Sequence, residues 1–193
     1  MLNRQNRNML LRMARESIAE HLTGLQSQTY QKLLNEEIQE ELQTENGVFV
    51  TLKQGSLLNE ELVLRGCIGN ILGKFPLYES IRRLAVEAAV DDPRFQPVAG
   101  TDELDSLVIE ISILTIPQQV SSYSEIVLGE DGILFFGQGR TAVFLPQVAT
   151  EQGWGIEETL THLSQKAGLG VNGWKAQDCQ FYVFQAEVFS EKK

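Results

Sequence analysis

The sequence predicts an α+β protein, with a mainly antiparallel sheet flanked by helices and a second, smaller β-rich lobe. Three observations carry that prediction. Short turn signals, Glu130-Asp131-Gly132 and Gly137-Gln138-Gly139, separate short apolar runs, and hairpins of this kind imply antiparallel pairing. Helical periodicity recurs in several segments intermingled with those runs, as in α+β proteins. No βαβ series carrying a dinucleotide-binding glycine fingerprint is present.

Taken in order, Leu10, Met13, Ala14, Ile18 and Leu22 recur at helical spacing until Gly24. Tyr30, Leu33, Leu34, Ile38 and Leu42 repeat the pattern and end before Asn46-Gly47. Val48 to Lys53 reads as a strand, Gln54-Gly55-Ser56 as a turn and Glu61 to Ile68 as a second strand. After a loop over Gly69 to Lys74, Pro76 suits the first turn of a helix, where its missing N–H costs little. Leu77, Ile81, Leu84, Ala85 and Ala88 mark one face of that helix, and Asp92-Pro93 ends it. Leu107 to Ile116 is the clearest strand, with Leu107, Ile109, Ile111 and Ile113 on one face and Val108, Glu110, Ser112 and Leu114 on the other.

Short strands are expected at Ile126–Leu128, Ile133–Phe136 and Ala142–Leu145. Pro146 opens a short helix, Ile156 to Ala167 forms a longer one closed by Gly168, and Phe181 to Phe189 is a last strand. The expected organisation is one domain over residues 1–193. Its larger lobe takes about 1–118 and 146–190, and its smaller lobe about 119–145.

A chain of 193 residues, 42% hydrophobic and 22% charged, buries enough surface for a core without staples. No apolar run approaches the ~20 residues of a membrane span. The stretch from Met1 to Arg15 carries four arginines and no apolar core of a secretory leader. Two cysteines far apart, Cys67 and Cys179, give no disulfide framework and suit a reducing, cytoplasmic setting. The net charge of −10 opposes nucleic-acid binding, which needs clustered cations against phosphates. Arg4, Arg7, Arg12 and Arg15 on one helix, and Glu36, Glu37, Glu40, Glu41 and Glu45 on another, read as solvated faces. Nothing in the sequence assigns an oligomeric state.

The segment with most chemistry is Leu64-Arg65-Gly66-Cys67-Ile68-Gly69. Simple alternation puts Val63, Arg65 and Cys67 on one strand face and Leu62, Leu64 and Ile68, the expected core residues, on the other. A guanidinium beside a thiol favours thiolate. Glycines at 66, 69 and 73 would let a ligand approach the backbone.

Arg65-Gly66-Cys67-Ile68-Gly69 resembles the signature of the AMME syndrome chromosomal region protein family, whose bacterial and archaeal members are called AmmeMemoRadiSam system protein A. Gly47-Val48-Phe49-Val50-Thr51-Leu52, Asp92-Pro93-Arg94-Phe95, Gly129-Glu130-Asp131-Gly132-Ile133, Leu145-Pro146-Gln147-Val148-Ala149, Glu151-Gln152-Gly153-Trp154 and Lys166-Ala167-Gly168-Leu169 follow in the family's order. The resemblance covers roughly residues 8–190. It implies a two-lobed α+β fold and an association with a radical-SAM enzyme and a Memo-type protein. It implies no particular reaction. What it carries over is position, since Arg65, Cys67, Asp92, Arg94 and Lys166 stand where the family has its motifs.

Two readings of the motif stay open. In one, this is an accessory or binding protein with its ligand surface at Arg65, Gly66, Gly69, Asp92, Arg94 and Lys166. In the other, it is a cysteine-dependent enzyme on a small anionic substrate, with Cys67 as nucleophile. The second lacks a base, because a nucleophilic thiol needs one within reach and His21 and His162 lie in expected helices. Arg65 is expected either to grip an anion bidentately or to pair internally with Asp92 or Glu103. Gly66, Gly69, Gly73 and Lys74 fail as a phosphate loop, because Phe75 replaces the hydroxyl residue that would reach magnesium. No metal-ligand spacing is present and no cofactor is expected.

Overall fold

The structure, a computed structural model, describes residues 1–26, 40–55 and 62–191. In chain order its elements are α1 (Arg4–Thr23), a 3-10 turn (Glu40–Leu42), β1 (Val48–Gly55), β2 (Leu62–Asn70), α2 (Leu77–Val90), α3 (Thr101–Ser106) and β3 (Leu107–Leu114). There follow β4 (Gln118–Val120), a 3-10 turn (Tyr123–Glu125), β5 (Gly132–Gly137), β6 (Arg140–Phe144), α4 (Gln147–Gln152) and α5 (Ile156–Lys166). A 3-10 turn (Gly173–Lys175), β7 (Gln180–Phe184) and β8 (Ala186–Ser190) close the series. The architecture is α+β with two four-stranded sheets, ordered β2-β1-β3-β8 and β4-β7-β5-β6. Most of the second expected helix, from Tyr30 to Ile38, lies outside the described residues. Its last residue, Leu42, is fully buried in the 3-10 turn.

The chain divides into two compact units, Met1–Ile113 with Glu187–Lys193, and Leu114–Ala186. The second is much larger than the 119–145 lobe expected from hairpin signals. The reason is that β7 inserts between β4 and β5, while α5 and Trp174 share a core with Phe135 and Phe181. Residues 146–186 therefore go with the hairpins. The expected single strand Phe181–Phe189 is two strands that break at Gln185 and serve different sheets. Ile126–Leu128, expected as a strand, is a loop after the 3-10 turn, and the pairing is supplied instead by Gln118–Val120 against β7.

In the first unit α1 starts at Asn3, whose side chain accepts from the Asn6 backbone N–H, satisfying one of the orphan donors of a helix start. It stops at Gly24, in the left-handed conformation at φ 69, which glycine adopts without penalty. The faces of α1 and α2 predicted from spacing bury Leu10, Met13, Ile18, Ile81, Leu84 and Ala88. α2 lies across β1 and β2. The sheet face beneath it carries Val48, Val50 and Leu52 from β1 and Ile109 and Ile111 from β3. The other face carries Thr51 and Lys53 beside Glu110.

No helix among the described residues is long and apolar enough to cross a membrane. Among the described residues no group of three or more His, Cys, Asp and Glu could hold a metal ion.

Candidate functional site

The motif strand β2 pairs antiparallel with β1, with Ile68 opposite Val50, Cys67 opposite Thr51 and Gly66 opposite Leu52. The register then slips, because Lys53 faces Leu64 and Arg65 is the extra residue. A β-bulge of this kind leaves one residue unpaired and re-aims its side chain. It also resets the alternation. Leu64 shares the face of Lys53, and Leu62 and Leu64 are 42% and 43% exposed. Their expected place in the core is thus corrected. Ile68, on the far side of the bulge, packs on the core as expected.

Gly66 and Gly69 each take a place that no side chain could. A Cβ at Gly66 would fall within contact distance of the Ala88 carbonyl oxygen on α2. A Cβ at Gly69 would enter the ring of Phe49, its cross-strand partner. The space that the sequence reading reserved for a ligand beside these glycines is filled by the protein's own helix and ring. Both glycines act as packing residues.

Asp92, just past the end of α2, is the hub of the site. Its side chain is 2% exposed. Oδ2 accepts from the Cys67 backbone N–H at 2.8 Å and from Arg94 Nη2 at 2.6 Å, and Oδ1 accepts from Arg94 Nε at 2.9 Å and the Arg94 backbone N–H at 3.1 Å. The Arg94 hydrogen bond, reinforced by both backbone N–H groups against the opposing pull of burial, holds the Asp92 carboxyl well below the usual carboxylate range. Asp92 in turn raises the Arg94 guanidinium. Nη2 of Arg94 also donates to the Cys67 carbonyl at 3.1 Å. The Arg94 side chain remains 54% exposed, and among the described residues its Nη1 makes no hydrogen bond. A buried carboxylate thereby clamps the motif strand to a guanidinium that faces solvent.

The cation beside Cys67 is therefore Arg94, whose charge feels the Cys67 sulfur. Arg65 instead turns from the bulge to Glu103 on α3, with Nε and Nη2 both 2.8 Å from Oε1. Glu103 Oε2 accepts from the Ala99 backbone N–H at 2.8 Å. The Arg65 side chain is 14% exposed, and its buried Nη1 has no acceptor among the described residues. Of the two fates expected for Arg65, the internal pair with Glu103 is the one observed.

Cys67 is half-buried and free. Its Sγ accepts from the Thr51 hydroxyl at 3.2 Å. Spacing along β2 could not point to Thr51, because only the β1–β2 register brings it opposite the thiol. His162 stacks on Trp154 at 4.0 Å between ring centroids, and His21 lies on α1 near Tyr78 and Arg82. Lys166 belongs to the second unit, where its Nζ donates to the Val143 carbonyl at 2.8 Å and sits 4.9 Å from the Phe144 ring centroid. The candidate residues thus form two local groups in the first unit, Cys67–Asp92–Arg94 with Thr51 and Arg65–Glu103, and one in the second.

A family model described as AMMECR1 matches residues 11–189. Protein PF1979 of Pyrococcus furiosus is 39% identical over 189 residues, which is 95% of this chain and 87% of that protein. Protein MK0488 of Methanopyrus kandleri is 37% identical over 190 residues, 95% of this chain and 87% of that protein. The crystal structure of uncharacterized protein PH0010 from Pyrococcus horikoshii matches with a TM-score of 0.81 at 38% identity, covering 95% of this chain and 90% of that one.

Proposed function

The chain belongs to the AMMECR1 family, and on that footing we propose that it is a cytoplasmic accessory or binding protein that works beside a radical-SAM enzyme and a Memo-type protein. The partner classes come from the family resemblance. The interaction surface of this reading is the exposed edge of Arg94, presented by Asp92 next to Cys67. One observation carries it: a guanidinium oriented by a buried carboxylate, with Nη1 still unused. Such a fork is pre-organised to grip a carboxylate or phosphate.

The surroundings of the thiol favour binding over catalysis. A nucleophilic cysteine requires a base within reach. Here the thiol's side-chain partner is a threonine hydroxyl. The carboxylate bound to the Cys67 backbone, Asp92, has its oxygens occupied by four N–H donors. Stabilised so strongly as an anion, it is a poor proton acceptor near neutral pH. The second reading, an enzyme using Cys67 on a small anionic substrate, draws support from the Arg94 guanidinium bound to the Cys67 carbonyl.

Calorimetric titration of the purified chain with the radical-SAM enzyme and the Memo-type protein of the same organism separates the two. The binding reading expects a complex with one of them, weakened about tenfold, or ~1.4 kcal/mol, by Arg94→Ala and unchanged by Cys67→Ser. Absence of heat with both partners defeats it. Turnover of an anionic substrate that vanishes with Cys67→Ser would put the enzyme reading in its place.

A further inference from the structure

A second surface of the first unit, remote in sequence from the motif, has the makings of a docking groove. Its wall is the outer stripe of α1, where Arg4, Asn8, Arg12 and Arg15 succeed one another at spacings of three and four residues, which keeps them on one helix side. Its floor is apolar: Leu11, Leu107 and Val108 are buried beneath it and Phe189 is half-buried. The cavity measures about 920 Å³, at the upper end of ordinary ligand sites.

The four arginines that the sequence presents as one solvated face separate into two kinds. Arg7 and Arg15 are structural. Arg7 Nη2 lies 2.7 Å from Glu187 on β8. Arg15 grips Glu191 at 2.6 and 2.7 Å and donates to the Leu104 and Leu107 carbonyls. These pairs fasten the helix to the end of the chain and neutralise its carboxylates. Arg4 and Arg12 are exposed and, among the described residues, have no acidic partner. Eight residues of helix hold them about 12 Å apart along the axis, with Asn8 between. The groove carries one further charge, Asp105, which adds to the stabilisation of the Arg15 cation.

We propose that this groove docks an acidic, amphipathic peptide segment of a partner protein, with carboxylates on Arg4 and Arg12 and an apolar side chain on Phe189. Charge complementarity decides for that occupant. Two unpaired cations flanking an apolar floor match alternating acidic and apolar side chains. A nucleic acid offers phosphates but nothing apolar to cover the floor. The proposal uses none of the residues of the Arg94 surface and stands or falls apart from it.

Fluorescence polarisation on the full chain tests it, using a fluorescein-labelled 12-residue peptide that alternates Glu and Leu. The same peptide with Lys for Glu and a 12-nucleotide single-stranded DNA serve as comparisons. The expected result is binding of the acidic peptide alone, weakening as salt rises, and weakened at least tenfold by the double variant Arg4→Glu, Arg12→Glu. Because both side chains are exposed and unpaired, that variant keeps the parent's circular dichroism. Asn8→Glu, which leaves both arginines in place, is expected to weaken binding in the same direction. Absence of binding, indifference to these three substitutions, or DNA binding as tight as that of the peptide overturns the proposal.

Discussion

The two halves of β2 share one strand and one pairing partner, yet they do opposite things. From Gly66 to Asn70 the strand is built into the molecule: Gly66 seats α2, Ile68 packs on the core and the Cys67 N–H is held by Asp92. From Leu62 to Leu64 three consecutive apolar residues are 42–49% exposed. One inserted residue, Arg65, separates the halves. Because side chains alternate with period two, a one-residue slip moves every later side chain to the other face. Apolar character alone therefore does not tell where a strand residue points.

Removing the hub should have the largest effect on this contrast. Asp92→Ala deletes the acceptor for two backbone N–H groups and one guanidinium, and we expect a loss of about 3 kcal/mol, read as a fall in the urea midpoint. Acid sharpens the same point. The folded Asp92 carboxyl lies below the carboxylate range, whereas the unfolded one titrates near about 3.9. Between those values the unfolded state binds more protons, so stability rises with pH. The Asp92 contribution is then fully present above pH ~5, begins to drain below ~4 and is lost only as pH falls through the lower folded value. Urea titrations between about pH 5 and 2 should show a shallower decline for Asp92→Asn than for the parent.

Gly66→Ala comes next. Its methyl meets the Ala88 carbonyl, so helix or strand must move, at about 2 kcal/mol. A melting temperature unchanged by this substitution would break the packing account of the motif glycine. At the small end, Leu64→Thr should alter stability by under about 0.5 kcal/mol, because its side chain lies past the bulge and outside the core. A loss as large as that of a core leucine, about 2–5 kcal/mol, would erase the difference between the halves.

Much of the molecule was legible beforehand because its signals are local. The buried stripes of α1, α2 and α5 follow 3.6-residue spacing, and the alternation of Leu107, Ile109 and Ile111 marks β3. Gly24 and Gly168 close their helical segments at positive φ. The motif also marked the right neighbourhood, since Cys67, Asp92 and Arg94 do meet. The bulge was not legible, because nothing in Leu64-Arg65-Gly66 distinguishes an extra residue from an ordinary one; only the register against β1 does. For the same reason Arg65 was expected beside the thiol, whereas the bulge turns it to Glu103. The break at Gln185 escaped periodicity too, because both halves of Phe181–Phe189 are strand.

The amino-acid sequence alone fixes what short-range physics controls: the fold class, the spans of most elements, the family signature and the residues worth watching. Tertiary structure assigns those residues their work. It makes Asp92 a clamp, leaves Arg94 with a free donor, spends Arg65 on Glu103 and divides the α1 arginines into fasteners and free cations. Each of these depends on a partner far away in the chain or across a register, and side-chain charge acts only on what the fold brings within a few ångströms.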